Sequence, residues 1–217
     1  MAARILVTGA TGVLGRELVP LLEATGHDVV DPSHYELDLF DGAAVRRAAT
    51  GAHAIYHLAT RIPRPERAHD REAWRENDRL REEAARLLVD AALAADVVAY
   101  VQPTIAFVYP DGPADEETAV DHVDAVLASA LAAERETARF AAAGRRGVVL
   151  RLGLLDGPGT GSAMPDGRFG ATLHVSDAGA ALLAASRLPS GIYNVVRDGE
   201  RVANARFKGA SGWRPTR

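Results

Sequence analysis

The clearest chemical signal in the chain is the stretch Thr8-Gly9-Ala10-Thr11-Gly12-Val13-Leu14-Gly15. It follows an apolar run, Ile5-Leu6-Val7, which reads as a short buried strand. It opens an amphipathic stretch, 14–24, with Leu14, Leu18, Leu21 and Leu22 on one face. Strand, glycine turn and helix, in that order, form the setting in which a glycine-rich loop holds a dinucleotide. Each glycine has its own task. Gly9 permits the tight turn off the strand, Gly12 lets backbone approach a pyrophosphate, and Gly15 lets the helix pack close to the sheet. The helix start then offers unpaired N–H groups and the positive end of its dipole to the phosphates. Asp31 closes the next strand, where a carboxylate can accept hydrogen bonds from the adenosine ribose and so favours NAD. Ser33, His34 and Tyr35 follow it and could instead meet the 2′-phosphate of NADP.

The elements that must position this loop follow in alternation. Residues 26–31 read as a turn and second strand, and Asp41 or Gly42 starts a helix through Ala48. A third strand runs over 53–58. Two prolines make 61–65 a loop. The longest helical pattern spans 70–95, with Trp74, Asn77, Leu80, Ala84, Leu87, Leu88 and Ala91 at helical spacing and a charged opposite face. Val97–Val101 is a fourth strand, left by an apolar loop over 102–112. A second long helix is expected over 119–143 and a fifth strand over 147–153. Leu173–Val175 is a short strand or turn, Asp177 caps a helix through Leu183, and 192–196 is a further strand. Alternating strands and helices imply a doubly wound parallel sheet, an α/β/α Rossmann fold, with its ligand at the carboxyl ends of the strands.

Composition narrows the function. The 217 residues suit one domain, with 47% apolar and 25% charged residues. A net charge of −4 disfavours nucleic-acid binding. The chain has no cysteine, which removes disulfides and thiolate chemistry. The histidines are scattered, without metal-ligand spacing, and no metal is expected. No apolar run is long enough for a membrane span, and the first strand begins at once, so a cytoplasmic protein is expected. Of the 25 basic residues, all but Lys208 are arginine.

Taken together, the chain resembles the extended short-chain dehydrogenases/reductases, in the NAD-dependent epimerase/dehydratase branch. Thr8–Gly15 is similar to that family's cofactor loop. Asp38-Leu39 matches the acidic-apolar pair that meets the adenine, and His57-Leu58-Ala59-Thr60 resembles the strand-end segment beside the cofactor. Asn77 sits on the helix that carries a family asparagine. Thr104, followed by Val108-Tyr109, resembles the segment bearing the active-site Ser/Thr. Arg151-Leu152-Gly153 with Gly157-Pro158-Gly159 resembles the border of the nicotinamide. The resemblance implies an NAD(P)-dependent oxidoreductase or epimerase/dehydratase-like enzyme acting on a small carbonyl, polyol or sugar-type substrate. It also implies a homodimer paired through the two long helices, 70–95 and 119–143.

Two departures qualify it. The family's reaction uses a Tyr with a Lys four residues on, whose charge lets the phenol pass a proton near neutral pH. Aligned through Glu134, those positions hold Val126 and Ala130. The only lysine, Lys208, has Asn204 four residues before it, so no Tyr-x-x-x-Lys exists in the chain. Segments are also missing on both sides of the Tyr193 strand, leaving a reduced substrate-binding part over about 153–217 of a single 1–217 domain. Thr104 can hydrogen-bond a substrate carbonyl or satisfy backbone at a strand end. Tyr109 can replace the lost phenol or simply pack. Two other functions use the same residues: a redox-silent dinucleotide-binding sensor, and a non-redox isomerase or cyclase.

Overall fold

The computed structural model describes residues 2–33, 35–121, 123–124, 127–161 and 167–217. The apolar runs become strands buried almost end to end, as strands covered on both faces must be: β1 (Arg4–Thr8), β3 (Ala54–His57), β4 (Ala99–Ile105) and β5 (Arg146–Leu152). With β2 (Asp28–Val30) and β8 (Gly191–Val195) they form a parallel six-stranded sheet in the order β2-β1-β3-β4-β5-β8. The order reverses between β1 and β3, and the crevice there opens at the carboxyl ends of the strands. A small parallel pair, β6 (Leu154–Asp156) with β7 (Thr172–His174), stands apart from this sheet.

Helices cover both faces. On one, Leu18 and Leu22 of α1 (Val13–Ala24) and Leu182 of α6 (Val175–Ala185) join Val7, Tyr56, Val101 and Leu150 in one core cluster. On the other, Val45 of α2 (Gly42–Ala49), Leu88 of α4 (Ala85–Ala94) and Phe140 of α5 (Ala128–Ala142) pack with Leu6, Ile55 and Tyr100. The result is the doubly wound α/β/α fold. Phe207 of α7 (Ala205–Ser211) and Trp213 seal the first cluster near β8.

Several elements differ from their expected form, each for a physical reason. β4 does not end at Val101 but continues through Thr104 to Ile105. Pro103 is tolerated because pairing with β3 stops at Val101, leaving its missing N–H on an unpaired side. The pattern over 70–95 is not one uniform helix. It is a 3₁₀ turn (Arg71–Trp74) capped by Asp70, then α3 (Arg75–Arg79), a π turn (Leu80–Ala84) and α4. The π turn rotates the inward face, so that Arg81 is buried along with Leu80 and Ala84.

The second long helix starts at Ala128, not Ala119. Val120 is drawn instead to a separate cluster of Ala106, Tyr109, Ala114, Ala171, Val196 and Val202. His34, His122 and Val126 lie outside the described residues. Ala130 is described, and is buried in the first turn of α5. The cap of α6 is His174, whose ring accepts the amide of Ser176, and not Asp177. Asp177 is buried and accepts the amides of Thr216 and Arg217 and the hydroxyl of Thr216, fastening the last residues to α6.

Candidate functional site

The turn after β1 is shaped by backbone. Gly9 has φ +76°, and a Cβ there would lie 2.6 Å from the amide nitrogen of Ala59. The turn therefore presses on the chain leaving β3, where Leu58 N donates to Thr8 O at 3.0 Å. Gly15 is tighter still: a Cβ would sit 2.2 Å from the carbonyl oxygen of Ala10. The close approach at Gly15 is thus to the turn itself and not to a strand. Gly12 differs from both, since a Cβ there would meet only the Gly9 oxygen, at 3.1 Å. Gly12 is also the N-cap of α1 and supplies no side-chain cap. The amides of Val13, Leu14 and Gly15 have no acceptor within the helix. Arg16 pins the loop by donating from Nε to Thr11 O at 2.9 Å. A bare, exposed glycine in front of uncapped amides fits a pyrophosphate.

The other expected cofactor residues lie at neighbouring strand ends. Leu58 is buried, Ala59 half-buried and Thr60 exposed beside the glycine turn. Asp31 is exposed immediately after β2. Asp38 is exposed and accepts the Phe40 amide at 2.9 Å, with Leu39 half-buried next to it. Ser33 turns its amide and hydroxyl onto Glu36 at 2.9 and 2.8 Å.

His57 joins this region to the helix layer. Its Nδ1 lies 2.7 Å from the Thr8 hydroxyl and its Nε2 lies 3.0 Å from the Leu80 carbonyl. A carbonyl only accepts, so Nε2 carries the hydrogen and Nδ1 accepts from Thr8. Burial pushes the ring's pKa down to about 4, which keeps it neutral near pH 7. The residue is a strut between the glycine turn and the π turn.

A second polar group lies across β4, β5 and β8. Thr104 donates its hydroxyl to Glu134 Oε1 at 2.8 Å. Arg151 grips the same carboxylate with Nε and Nη2, at 2.9 and 2.6 Å. Both side chains are under a tenth exposed, at 6% and 8%. The Arg151 guanidinium also lies over the Tyr109 ring, 4.8 Å from its centre. The Tyr109 hydroxyl donates to Asn194 Oδ1 at 2.9 Å. Burial raises the Tyr109 pKa, and Arg151 only partly opposes this. The structure brings Thr104 and Tyr109 into one network, with both hydroxyl hydrogens engaged inside the protein. The Glu134–Arg151 pair at its centre was not anticipated. Its signal was an arginine inside the apolar run Val148–Leu152, since a buried arginine requires a carboxylate.

The exposed faces of the long helices are ionic. Arg79 pairs with Glu83 at 2.9 Å and Arg86 with Asp90 at 3.2 Å, while Arg139 bridges to Asp90 at 2.7 Å. Among the described residues, no helix is long and apolar enough to cross a membrane. Among the same residues, no cluster of three or more His, Asp or Glu could hold a metal ion.

A parallel doubly wound sheet with a bare glycine turn at its first strand defines a Rossmann-fold protein of the dinucleotide-binding type. The model of the NAD dependent epimerase/dehydratase family matches residues 5–175, and the chain belongs to that family. It is similar to a 3-diazoavenalumate denitrifying reductase from a Streptomyces species, with 37% identity over 232 residues covering 90% of this chain and 76% of that protein. A shorter match, 58% over 45 residues, links 21% of the chain to 15% of a dTDP-4-dehydrorhamnose reductase of Streptomyces griseus. Among solved structures, RMD from Pseudomonas aeruginosa complexed with NADPH has the same fold. Its TM-score is 0.78 and its identity 20%, covering all of this chain and 93% of that one.

Proposed function

We propose that the protein is an NAD(P)-dependent reductase of a small molecule that works without an enzyme-borne phenol–ammonium pair. The observation that carries this reading is the open cradle at Gly12 and the uncapped start of α1. In this reading the amides of Val13, Leu14 and Gly15 hold the pyrophosphate, Thr11 and Gly12 line it, and Asp31 accepts from the ribose. Asp38 and Leu39 meet the adenine, and Leu58, Ala59 and Thr60 run beside the cofactor. Bound in reduced form, the nicotinamide supplies hydride. Two related proteins named as reductases, and a protein of the same fold holding NADPH, support the assignment.

The missing dyad limits the kind of reduction. Reducing a carbonyl needs a proton at the developing alkoxide, and an enzyme acid there is typically worth about 10²–10⁴-fold. Replacing a diazonium group by hydrogen needs none. A single hydride, which brings both electrons, would be enough: the carbon–nitrogen bond breaks, N2 leaves with its bonding pair and a C–H bond forms in its place. The 37% relative is named for a diazo substrate and a denitrifying reduction, and the proposed substrate for this chain is of that class. Thr104 and Tyr109 then act by fixing Arg151 and Glu134 in place and not by passing a proton.

Thermal-shift titration with NADH and NADPH, followed by absorbance of the reduced nicotinamide during turnover of an arenediazonium salt and of an aldehyde panel, tests this. The expected result is a stabilising shift and cofactor consumption with the diazonium above the uncatalysed rate. No shift with either dinucleotide overturns the proposal. A shift with no consumption of any substrate assigns the second reading, a redox-silent dinucleotide binder, which the absent dyad also favours. The proposal includes a homodimer through the ionic faces of α4 and α5. Sedimentation at low and high salt reads it, and a monomer in both removes it.

A further inference from the structure

The π turn carries Arg81 inward, where only 5% of its surface stays open. Its Nη1 is fully covered and has no hydrogen-bond partner. Two carboxylates act on its charge, and other groups already hold both. Asp78 is paired with Arg71, while Glu134 takes two bonds from Arg151 and one from Thr104. Burial lowers the Arg81 pKa, and Asp78 and Glu134 oppose this without a hydrogen bond to it. Among the described residues, this group sets Arg71, Arg81 and Arg151 against Asp78 and Glu134, which leaves one positive charge in excess. A buried guanidinium is ordinarily paired, because water no longer offsets its charge. An unpaired one is kept at a cost to the folded chain.

The place of this charge in the fold is specific. Leu80, the residue before Arg81, gives its carbonyl to His57 at the end of β3, at 3.0 Å. Glu134 receives Thr104 from the last turn of β4, and stands one helical turn beyond the buried Ala130 on α5. Arg81 therefore lies towards the carboxyl ends of β3 and β4, on the far side of the crevice from Asp31. With adenosine on the β2 side, that is the side of the reacting half of a dinucleotide. The two elements that meet here, the helical stretch 75–84 and α5, carry further buried groups without partners. Asn77 accepts the Arg61 amide at 3.1 Å, but its Nδ2 is unpartnered, as is the hydroxyl of Ser129. A single carboxylate matches the single excess charge. A dianion would bring a second negative charge towards Asp78 and Glu134 with nothing to offset it.

We propose that Arg81 is the anion-binding residue of the reaction site and pairs with a carboxylate that the substrate carries in addition to its reducible group. This rests on the reductase reading above and adds a second feature to its substrate class. The test is thermal melting of the full chain without dinucleotide, at constant ionic strength, with benzoate and inorganic phosphate as probes. Parent, Arg81→Met, the conservative Arg81→Lys and Arg86→Met are compared, Arg86 being exposed and paired with Asp90. Arg81→Met should melt at or above the parent, because an apolar chain of similar length replaces an unpaired buried charge. Benzoate titrated to saturation should raise the melting temperature of the parent and of Arg86→Met by roughly 3–5 °C, that of Arg81→Lys by less, and that of Arg81→Met not at all. Clearly lower melting of Arg81→Met overturns the proposal, since the guanidinium is then a structural strut with Asp78 as its partner in solution. Benzoate shifts that are absent, or equal in the parent and Arg81→Met, also overturn it. So does a phosphate shift that needs Arg81 while benzoate is silent; phosphate bound at the start of α1 is recognised by its indifference to Arg81. The NADH thermal shift is read on the same samples. If it is absent while the benzoate shift still needs Arg81, the reductase reading falls and the carboxylate site stands. If it is present without an Arg81-dependent benzoate shift, only the carboxylate site falls.

Discussion

The first strand and the middle of the sheet end in opposite ways. Beyond β1 the chain leaves hydrogen bonds unmade: Gly12 is exposed, α1 has no side-chain cap, and its first-turn amides have no acceptor within the helix. Beyond β4 and β5 the bonds are made internally: Thr104 to Glu134, Arg151 to Glu134, Tyr109 to Asn194. An open set of donors can bind something, whereas a closed set can only hold its own shape. The contrast teaches that the chain has kept the means to grip a dinucleotide. At the ends of β4 and β5, where Thr104 and Arg151 lie, it has a rigid internal support.

The largest test of that contrast is Glu134→Ala. It leaves the Arg151 guanidinium buried without a counter-charge and removes the Thr104 acceptor. Breaking one side of a buried pair typically costs about 3–5 kcal/mol. At this chain length that lowers the melting temperature by roughly 10 °C, at about 2–4 °C per kcal/mol. Replacing both partners, as in Glu134→Leu with Arg151→Met, should recover most of the loss in the same melts. A single substitution costing under about 1 kcal/mol would show that the network is solvated and not closed.

The glycine turn supplies the opposite test. Gly15→Val places Cβ against the Ala10 backbone, and something must move, at a cost of about 1–3 kcal/mol or more. Gly12→Val meets only the Gly9 oxygen, 3.1 Å from the added Cβ, with φ already at −74°, so its cost should stay well below that of Gly15→Val. Yet Gly12→Val should abolish the NADPH-induced thermal shift, because the added methyls occupy the pyrophosphate cradle. Equal melting losses for the two variants, or an intact shift in Gly12→Val, would erase the distinction between a structural and a binding glycine.

These two ends were unequally legible in the sequence. The glycine turn is local: strand, turn and helix lie within twenty residues, and their spacing carries the geometry. Asp41 as a cap and the five alternating strands could be read for the same reason. The support beyond β4 is non-local. Thr104, Glu134, Arg151 and Asn194 meet only because β4, β5 and β8 lie side by side, and no spacing announces that. Pro103 made a strand look like a loop, since its missing N–H is harmful only if a neighbour needs it. The π turn at Leu80–Ala84 was hidden because Ala84, Leu87, Leu88 and Ala91 continue an ordinary helical rhythm beyond it. Val120 looked helical and joined a different cluster, because what buries it arrives from Val196 and Val202.

His57 braces the first of these ends against the π turn, and pH should expose it. Its folded pKa of about 4 lies below its ordinary value of 6.5, so between these values the unfolded chain binds more protons. Stability from this residue is therefore complete above about pH 6.5 and is lost as pH falls towards 4. A shift of this size corresponds to about 3 kcal/mol in total. Urea midpoints at pH 7, 5.5 and 4.5 should fall more steeply in the parent than in His57→Asn. Parallel slopes would mean the ring is solvated and its bridge to Thr8 and Leu80 is not kept in solution.

The smallest effect bears most directly on chemistry. Tyr109→Phe removes only the hydrogen bond to Asn194 and keeps the ring under Arg151. One such bond contributes about 0.5–1.5 kcal/mol, and Asn194 Oδ1 is left without its donor. Melting should therefore drop slightly. Turnover measured by nicotinamide absorbance should stay within about threefold, because a phenol whose pKa is raised by burial, and whose hydrogen faces Asn194, is poorly placed to protonate a substrate. A hundredfold loss of kcat with unchanged melting would reverse the comparison. It would make Tyr109 the acid that stands in for the missing dyad, and it would move the reaction back towards carbonyl reduction, where such an acid is needed.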